Sequence, residues 1–169
     1  GGKTLHLASL MENKGQIIAM DIYESKQKQL KIRAKRNAAF NIEYRIIEGT
    51  KAIKKLHDKA DRVLIDAPCS GLGVLKRNPD SKWKLQPEFI ENIKKVQEQV
   101  LQDYSRILKP GGKMVYATCS ILPSENEKQI YRSFSNSILD ILSVYTENPV
   151  FEEDLEKVIV RLNEIITTN

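Results

Sequence analysis

Met114-Val115-Tyr116-Ala117 is a compact apolar run that ends in Thr118-Cys119. Directly before it stands the clearest helical pattern in the chain. Phe89, Ile90, Ile93, Val96, Val100, Leu101, Tyr104, Ile107 and Leu108 recur at three- and four-residue spacing, which lays an apolar stripe along one side of a helix. Pro87 suits the first turn, where its missing N–H is not needed. Lys109-Pro110-Gly111-Gly112 is the stop signal. Upstream of the helix lies a second apolar run, Val63-Leu64-Ile65, ending in Asp66. Strand, long helix, strand is the unit that connects parallel neighbours in a sheet.

The alternation continues toward the N-terminus. Ile17-Ile18-Ala19-Met20 reads as a strand ending in Asp21, and a helix is predicted from about Glu24 to Phe40. Tyr44 to Ile47 reads as a further strand, followed by a short helix near Lys51–Leu56. Strands alternating with helices predict an α/β fold with a parallel sheet. Beyond Cys119, a helix is predicted from Glu125 to about Leu142. Phe151, Leu155, Val158, Ile159, Leu162, Ile165 and Ile166 predict a terminal amphipathic helix. No repeat, low-complexity tract or interdomain linker interrupts this pattern.

The 169 residues suffice for one domain with a real core. No apolar run approaches the roughly 20 residues that span a membrane, and no basic-then-apolar leader opens the chain. A cytoplasmic monomer without membrane attachment is the expectation. Lys and Arg number 27 against 22 Asp and Glu, a net charge of +5, which leans only mildly toward polyanions. Two Cys and two His, with no C-x-x-C pair, do not build a structural zinc site, and no metal is expected. In a reducing compartment Cys69 and Cys119 are thiols.

In an open α/β sheet, ligands bind at the carboxyl ends of the strands. Four segments converge there. Gly1-Gly2-Lys3-Thr4 opens the first helix, and Asp21 ends the following strand. Asp66-Ala67-Pro68-Cys69-Ser70-Gly71 and Thr118-Cys119-Ser120 follow the later two strands. Glycines at a helix start let a cofactor approach the backbone. An acidic strand end is placed to accept hydrogen bonds from ribose hydroxyls. That pair alone is common to many nucleoside-binding folds. The cysteine loops are more telling. If their strands are parallel neighbours, Cys69 and Cys119 sit side by side, among polar turn residues and beside an aspartate. Two thiols and a carboxylate at one sheet edge suggest covalent catalysis. The alternative, two inert cysteines in turns, needs both motifs to be coincidental.

Asp66-Ala67-Pro68-Cys69-Ser70-Gly71-Leu72-Gly73, with Arg77-Asn78-Pro79-Asp80 and Lys82-Trp83 after it, resembles the fourth motif of the Fmu/Sun-like RNA cytosine-5 methyltransferases. Tyr116-Ala117-Thr118-Cys119-Ser120, with Pro123-Ser124-Glu125-Asn126-Glu127, resembles the sixth motif. Gly1-Gly2-Lys3-Thr4 is similar to the tail of the cofactor loop. The resemblance covers roughly residues 1–132 and is nearest to the enzymes of bacterial 16S ribosomal RNA; residues 133–169 diverge and read as helix.

That resemblance implies a Rossmann-like methyltransferase sheet, with residues 1–169 forming a catalytic domain. It implies S-adenosylmethionine as cofactor and RNA, ribosomal RNA in particular, as partner. Cys119 would be the nucleophile that adds to carbon 6 of cytosine, and Cys69 would assist breakdown of the adduct. Asp66 would hydrogen-bond the base and border the cofactor, which Gly1, Gly2, Lys3 and Asp21 would hold. The family pattern also puts a first, central strand before Gly1. A chain starting at Gly1 is expected to show strands in the order 3-2-gap-4-5 and to bind cofactor weakly. Thr50 stands where family members carry an adenine-contacting aspartate, and the usual closing antiparallel strand pair is not evident after Ser133.

Two further features carry double readings. Lys26, Lys28, Lys31, Arg33, Lys35 and Arg36 form either a solvated helix face or an RNA-facing surface. Trp83 is either a base-stacking platform or a half-buried loop anchor. Two rival functions also stand. Gly2-Lys3-Thr4 and Val63-Leu64-Ile65-Asp66 would suit a P-loop nucleotidase, which has no need of the cysteine loops. A catalytically dead RNA-binding remnant is the other.

Overall fold

The computed structural model describes residues 1–134 and 142–146. The chain divides into two compact units, Gly1–Ile53 and Lys54–Asn169.

In the first unit, helix α1 (Gly2–Leu10) leads to strand β1 (Ile17–Asp21), helix α2 (Glu24–Arg36) and strand β2 (Ile42–Ile46). Helix α3 (Thr50–Lys54) closes it. β1 and β2 pair in parallel, Ile17 opposite Ile42 and Asp21 opposite Ile46. α2 connects them and turns Leu30 and Ala34 inward. Gln27, buried on the same face, donates from Nε2 to the Ala19 carbonyl at 2.9 Å and the Arg45 carbonyl at 3.1 Å. One amide thus bolts the helix across both strands. The six basic residues of α2 are all exposed, with Lys28 paired to Glu24 one turn earlier at 3.0 Å. Exposure of all six suits a solvated face and an RNA-facing surface alike.

The second unit carries strand β3 (Ala60–Asp66), a 3-10 turn at Leu72–Val74, helix α4 (Ser81–Lys84) and helix α5 (Pro87–Ser105). Strand β4 (Leu108–Thr118), helix α6 (Glu127–Phe134) and strand β5 (Leu142–Thr146) follow. The sheet order is β3-β4-β5, all parallel. Ile65, Ala67, Leu101, Met114 and Tyr116 form its core. The stripe on α5 faces this core through Leu101, with Val100 and Tyr104 beside it, whereas Phe89 and Val96 remain 46% exposed.

The α/β class and the parallel pairings agree with the sequence. The described strands form two separate sheets, β1-β2 and β3-β4-β5.

Three boundaries in the second unit differ. α5 ends at Ser105, because the Ile107 carbonyl is taken by the N–H groups of Lys59 and Ala60 at 3.0 and 2.9 Å, and that of Arg106 by Asp58. Ile107 and Leu108 therefore leave the helix despite matching its period. Ala60 then pairs with Leu108 and Arg62 with Lys113, so Lys109-Pro110-Gly111-Gly112 bulges opposite Asp61. Lys109 holds Asp61 across the bulge at 2.8 Å. Finally, Leu142 opens a strand parallel to β4 instead of ending a helix. The terminal helix predicted from Phe151 lies outside the described residues.

Candidate active site

β3 and β4 run side by side with Asp66 opposite Ala117. Parallel register brings the two carboxyl ends to one sheet edge, and the loops beyond them meet. Cys69 Sγ lies 3.1 Å from Cys119 Sγ. The Cys119 N–H points at Cys69 Sγ, 3.3 Å away. Both cysteines are half-buried and no disulfide joins them. Asp66, the last residue of β3, is exposed.

The turn after Cys69 also reaches the other loop. Gly71 has φ +73°, a left-handed conformation suited to glycine. Gly73 donates its N–H to the Cys119 carbonyl at 2.9 Å. A Cβ at Gly73 would sit 2.9 Å from that same oxygen, so a side chain there would force the backbone apart.

Beneath the sulfurs lies a buried polar layer. Ser70 and Ser120, each following a cysteine, converge on the Glu125 carboxylate, as does Gln97 of α5. Gln97 also donates to the Pro68 carbonyl at 2.8 Å. Thr118 and Asn126 are hydrogen-bonded, and Asn126 donates to the Ser120 carbonyl at 2.8 Å. Tyr116 donates to the Glu125 carbonyl at 3.1 Å. Burial pushes the Tyr116 phenol above its ordinary range, and the Glu125 carboxylate and the Cys69 sulfur push the same way. The sequence reading assigned no part to Glu125, Ser70, Ser120 or Gln97. The available signal was Gln97 itself, a polar residue on the apolar stripe, four residues after Ile93 and four before Leu101.

The residues read as cofactor ligands lie in the first unit, Asp66 apart. Gly1 caps α1 and Gly2 begins it. A Cβ at Gly2 would meet nothing within 4 Å, whereas one at Gly1 would strike Leu30. The backbone N–H groups of this helix start are therefore not covered by a side chain of their own. Asp21 ends β1 and accepts the Tyr23 N–H at 2.9 Å, with Lys26 Nζ 3.8 Å from its other oxygen. Its partly exposed carboxylate keeps acceptor capacity for hydroxyl groups. A helix start for an anionic group and an acidic strand end for a ribose fit an amino-acid nucleoside such as S-adenosylmethionine. Thr50 begins α3 and is exposed.

Trp83 is 77% exposed, which excludes the half-buried anchor. Lys82 Nζ lies 4.8 Å from its ring centroid. No helix among the described residues is long and apolar enough to cross a membrane.

A parallel α/β sheet, cysteine loops on adjacent strand ends and a glycine-opened helix place the chain in the Rossmann-like methyltransferase class. The family described as 16S rRNA methyltransferase RsmB/F matches residues 1–153, and the chain belongs to it. It is 34% identical over 156 residues to the probable ribosomal RNA small subunit methyltransferase B of Bacillus subtilis, covering 92% of this chain and 32% of that one. The Synechocystis protein of the same name is 40% identical over 78% of this chain and 30% of its own length. Among solved structures, the crystal structure of PH0851 has a TM-score of 0.74 at 40% identity, covering 78% of this chain and 30% of that one. NSun6 from Pyrococcus horikoshii, solved with SFG, has a TM-score of 0.69 at 33% identity, covering 78% and 33%. The chain thus spans about a third of the length of these relatives. Family membership removes the nucleotidase alternative.

Proposed function

We propose that the protein methylates carbon 5 of cytosine in RNA, with ribosomal RNA as the substrate class, through a covalent cysteine adduct. The 3.1 Å contact between Cys69 and Cys119 carries this reading. Carbon 5 of cytosine is a weak nucleophile. Addition of the Cys119 thiolate to carbon 6 turns it into the terminus of an enamine-like system. S-adenosylmethionine supplies the methyl group on an electrophilic sulfonium. In support, a related structure was solved with SFG, an analogue of S-adenosylmethionine. Gly1, Gly2, Lys3, Asp21 and Asp66 would bind the cofactor.

Asp66 ends the strand beside the nucleophile loop and would orient the cytosine by hydrogen bonding. After transfer, carbon 5 carries both the methyl group and its original proton. Removing that proton lets the carbon–sulfur bond to Cys119 break, with the electron pair returning to sulfur. Cys69, touching Cys119, assists this release. Trp83 with Lys82 and Arg77 supplies a cationic stacking platform for an RNA base. Residues 1–169 belong to the catalytic domain of this enzyme, which acts as a cytoplasmic monomer.

The two cysteines should separate in their failures when the full gene product is assayed. Cys119→Ser loses both turnover and adduct. Cys69→Ala accumulates a denaturation-resistant protein–RNA complex in the presence of cofactor. Normal turnover by Cys69→Ala, with trapping by Cys119→Ala, would reverse the assignment.

A further inference from the structure

Glu125 precedes α6 and is fully buried. An ionised carboxylate is acceptor-only, with about four lone-pair positions. All four are taken. Oε1 accepts the Ser70 N–H at 2.8 Å and the Gln97 amide at 3.1 Å. Oε2 accepts the hydroxyls of both Ser70 and Ser120. Every donor is neutral. Each serine has a single hydroxyl proton, so with both directed at Oε2 the 3.1 Å approach of the two hydroxyl oxygens is a consequence of the shared acceptor.

The donors are not a random sample of the core. Ser70 follows Cys69, Ser120 follows Cys119, and Gln97 also holds the Pro68 carbonyl just before Cys69. Burying a carboxylate costs several kcal/mol unless its hydrogen bonds are complete. The same packing could be had from an apolar side chain. What an apolar side chain lacks is a single rigid acceptor for donors from two separate loops.

We infer that Glu125 is a positioning residue that fastens the two cysteine loops to each other and so sets the Cys69–Cys119 sulfur separation. None of its hydrogen bonds goes to a sulfur or to Asp66; it acts through Ser70 and Ser120. The effect on catalysis rests on the proposed two-cysteine reaction. The effect on the sulfurs does not. The substitution Glu125→Gln would preserve the clamp, the new side-chain carbonyl taking the Oε1 donors and the amide donating to the two serine oxygens once their protons rotate away.

Phenylarsine oxide reports the separation directly, because one arsenic bonds two sulfurs only when they lie in contact. Two arsenic–sulfur bonds form, and the two thiol protons leave with the oxide oxygen as water. With the full gene product, Glu125→Ala should weaken phenylarsine oxide binding at Cys69–Cys119 about tenfold or more, and Glu125→Gln should restore it to within about threefold. Alkylation of each single thiol by iodoacetamide should change little. In methylation assays, kcat of Glu125→Ala should fall about 100-fold with KM for RNA nearly unchanged, and Glu125→Gln should recover most of it. Should Glu125→Ala fail to fold, Ser120→Ala removes one of the four bonds and should weaken arsenical binding about threefold. Wild-type arsenical affinity in a folded Glu125→Ala or Ser120→Ala protein overturns the inference. The arsenical needs neither RNA nor cofactor, so a failure of the methyltransferase reading is distinguishable from a failure of the clamp.

Discussion

Cys69 Sγ and Cys119 Sγ touch at 3.1 Å across a separation of 50 positions in the chain. Two thiols at that distance are a short step from a disulfide. Mild oxidation with diamide, which takes two electrons and two protons from the pair, should join Cys69 to Cys119. Methyl transfer should then fall at least about tenfold, since the nucleophile is consumed. Dithiothreitol should restore it. Peptide mapping that finds both cysteines still reduced after inactivation would contradict this.

Gly73 offers a second test of how tightly the loops meet. Gly73→Ala places a methyl carbon 2.9 Å from the Cys119 carbonyl oxygen. The backbone must move, and we expect a loss of about 1–3 kcal/mol in urea unfolding. Turnover should drop by about tenfold or more as the nucleophile shifts. Full stability and turnover in Gly73→Ala would show that the two loops part without consequence.

Tyr116 fixes the direction of an alkaline effect. Its phenol is held neutral in the fold, with a pKa above the ordinary value of 10.0. For an acid raised on folding, the folded state binds more protons than the unfolded state above that ordinary value. The stabilisation is complete below about pH 10 and is lost as pH rises beyond it. Tyr116→Phe should flatten this loss and cost about 1 kcal/mol at neutral pH through the missing bond to the Glu125 carbonyl. Urea midpoints from pH 8 to 11 measure both.

Trp83 packs little, so Trp83→Ala should leave stability within about 0.5 kcal/mol. RNA affinity should fall about tenfold, the worth of one stacked base. Filter binding against a thermal melt separates the two, and a destabilised protein with unchanged RNA affinity would refute the platform.

Among the described residues, β1 pairs only with β2 and β3 only with β4. Leu64, in the middle of β3, is 38% exposed. A strand edge without a partner leaves backbone N–H and C=O groups unpaired, and ordering a loosely held pocket on binding costs affinity. Residues 1–169 alone should bind S-adenosylmethionine more weakly than about 100 micromolar by calorimetry. Low-micromolar binding would show that this segment is sufficient.

The parallel strands and the two cysteine loops were legible because apolar runs ending in polar loops are local signals. The junction between α5 and β4 and the segment at Leu142 were not. Ile107 and Leu108 keep helical period, and only the donors of Lys59 and Ala60 show that their backbone belongs to a strand junction. Leu142 and Val144 alternate with Ser143 and Tyr145, a period-two hint that a helical reading overrode. Glu125, flanked by Ser124 and Asn126, reads as solvent-facing. Its burial depends on donors from Ser70 and Gln97, far away in sequence. Trp83's exposure is likewise a property of what the fold leaves uncovered.

The bulge of Lys109-Pro110-Gly111-Gly112 opposite Asp61 bears on which length changes the chain can survive. Within Lys109–Gly112, which have no register partner on β3, residues gained or lost can leave the pairing of Arg62 with Lys113 in place. Between Lys113 and Thr118 every residue is in register with its neighbour on β3 or β5. A deletion there draws Cys119 back by one pleat, about 3.3 Å, and turns its side chain to the opposite face. Insertions and deletions among homologues should therefore collect at the bulge and be missing from the six residues that lead to the nucleophile loop.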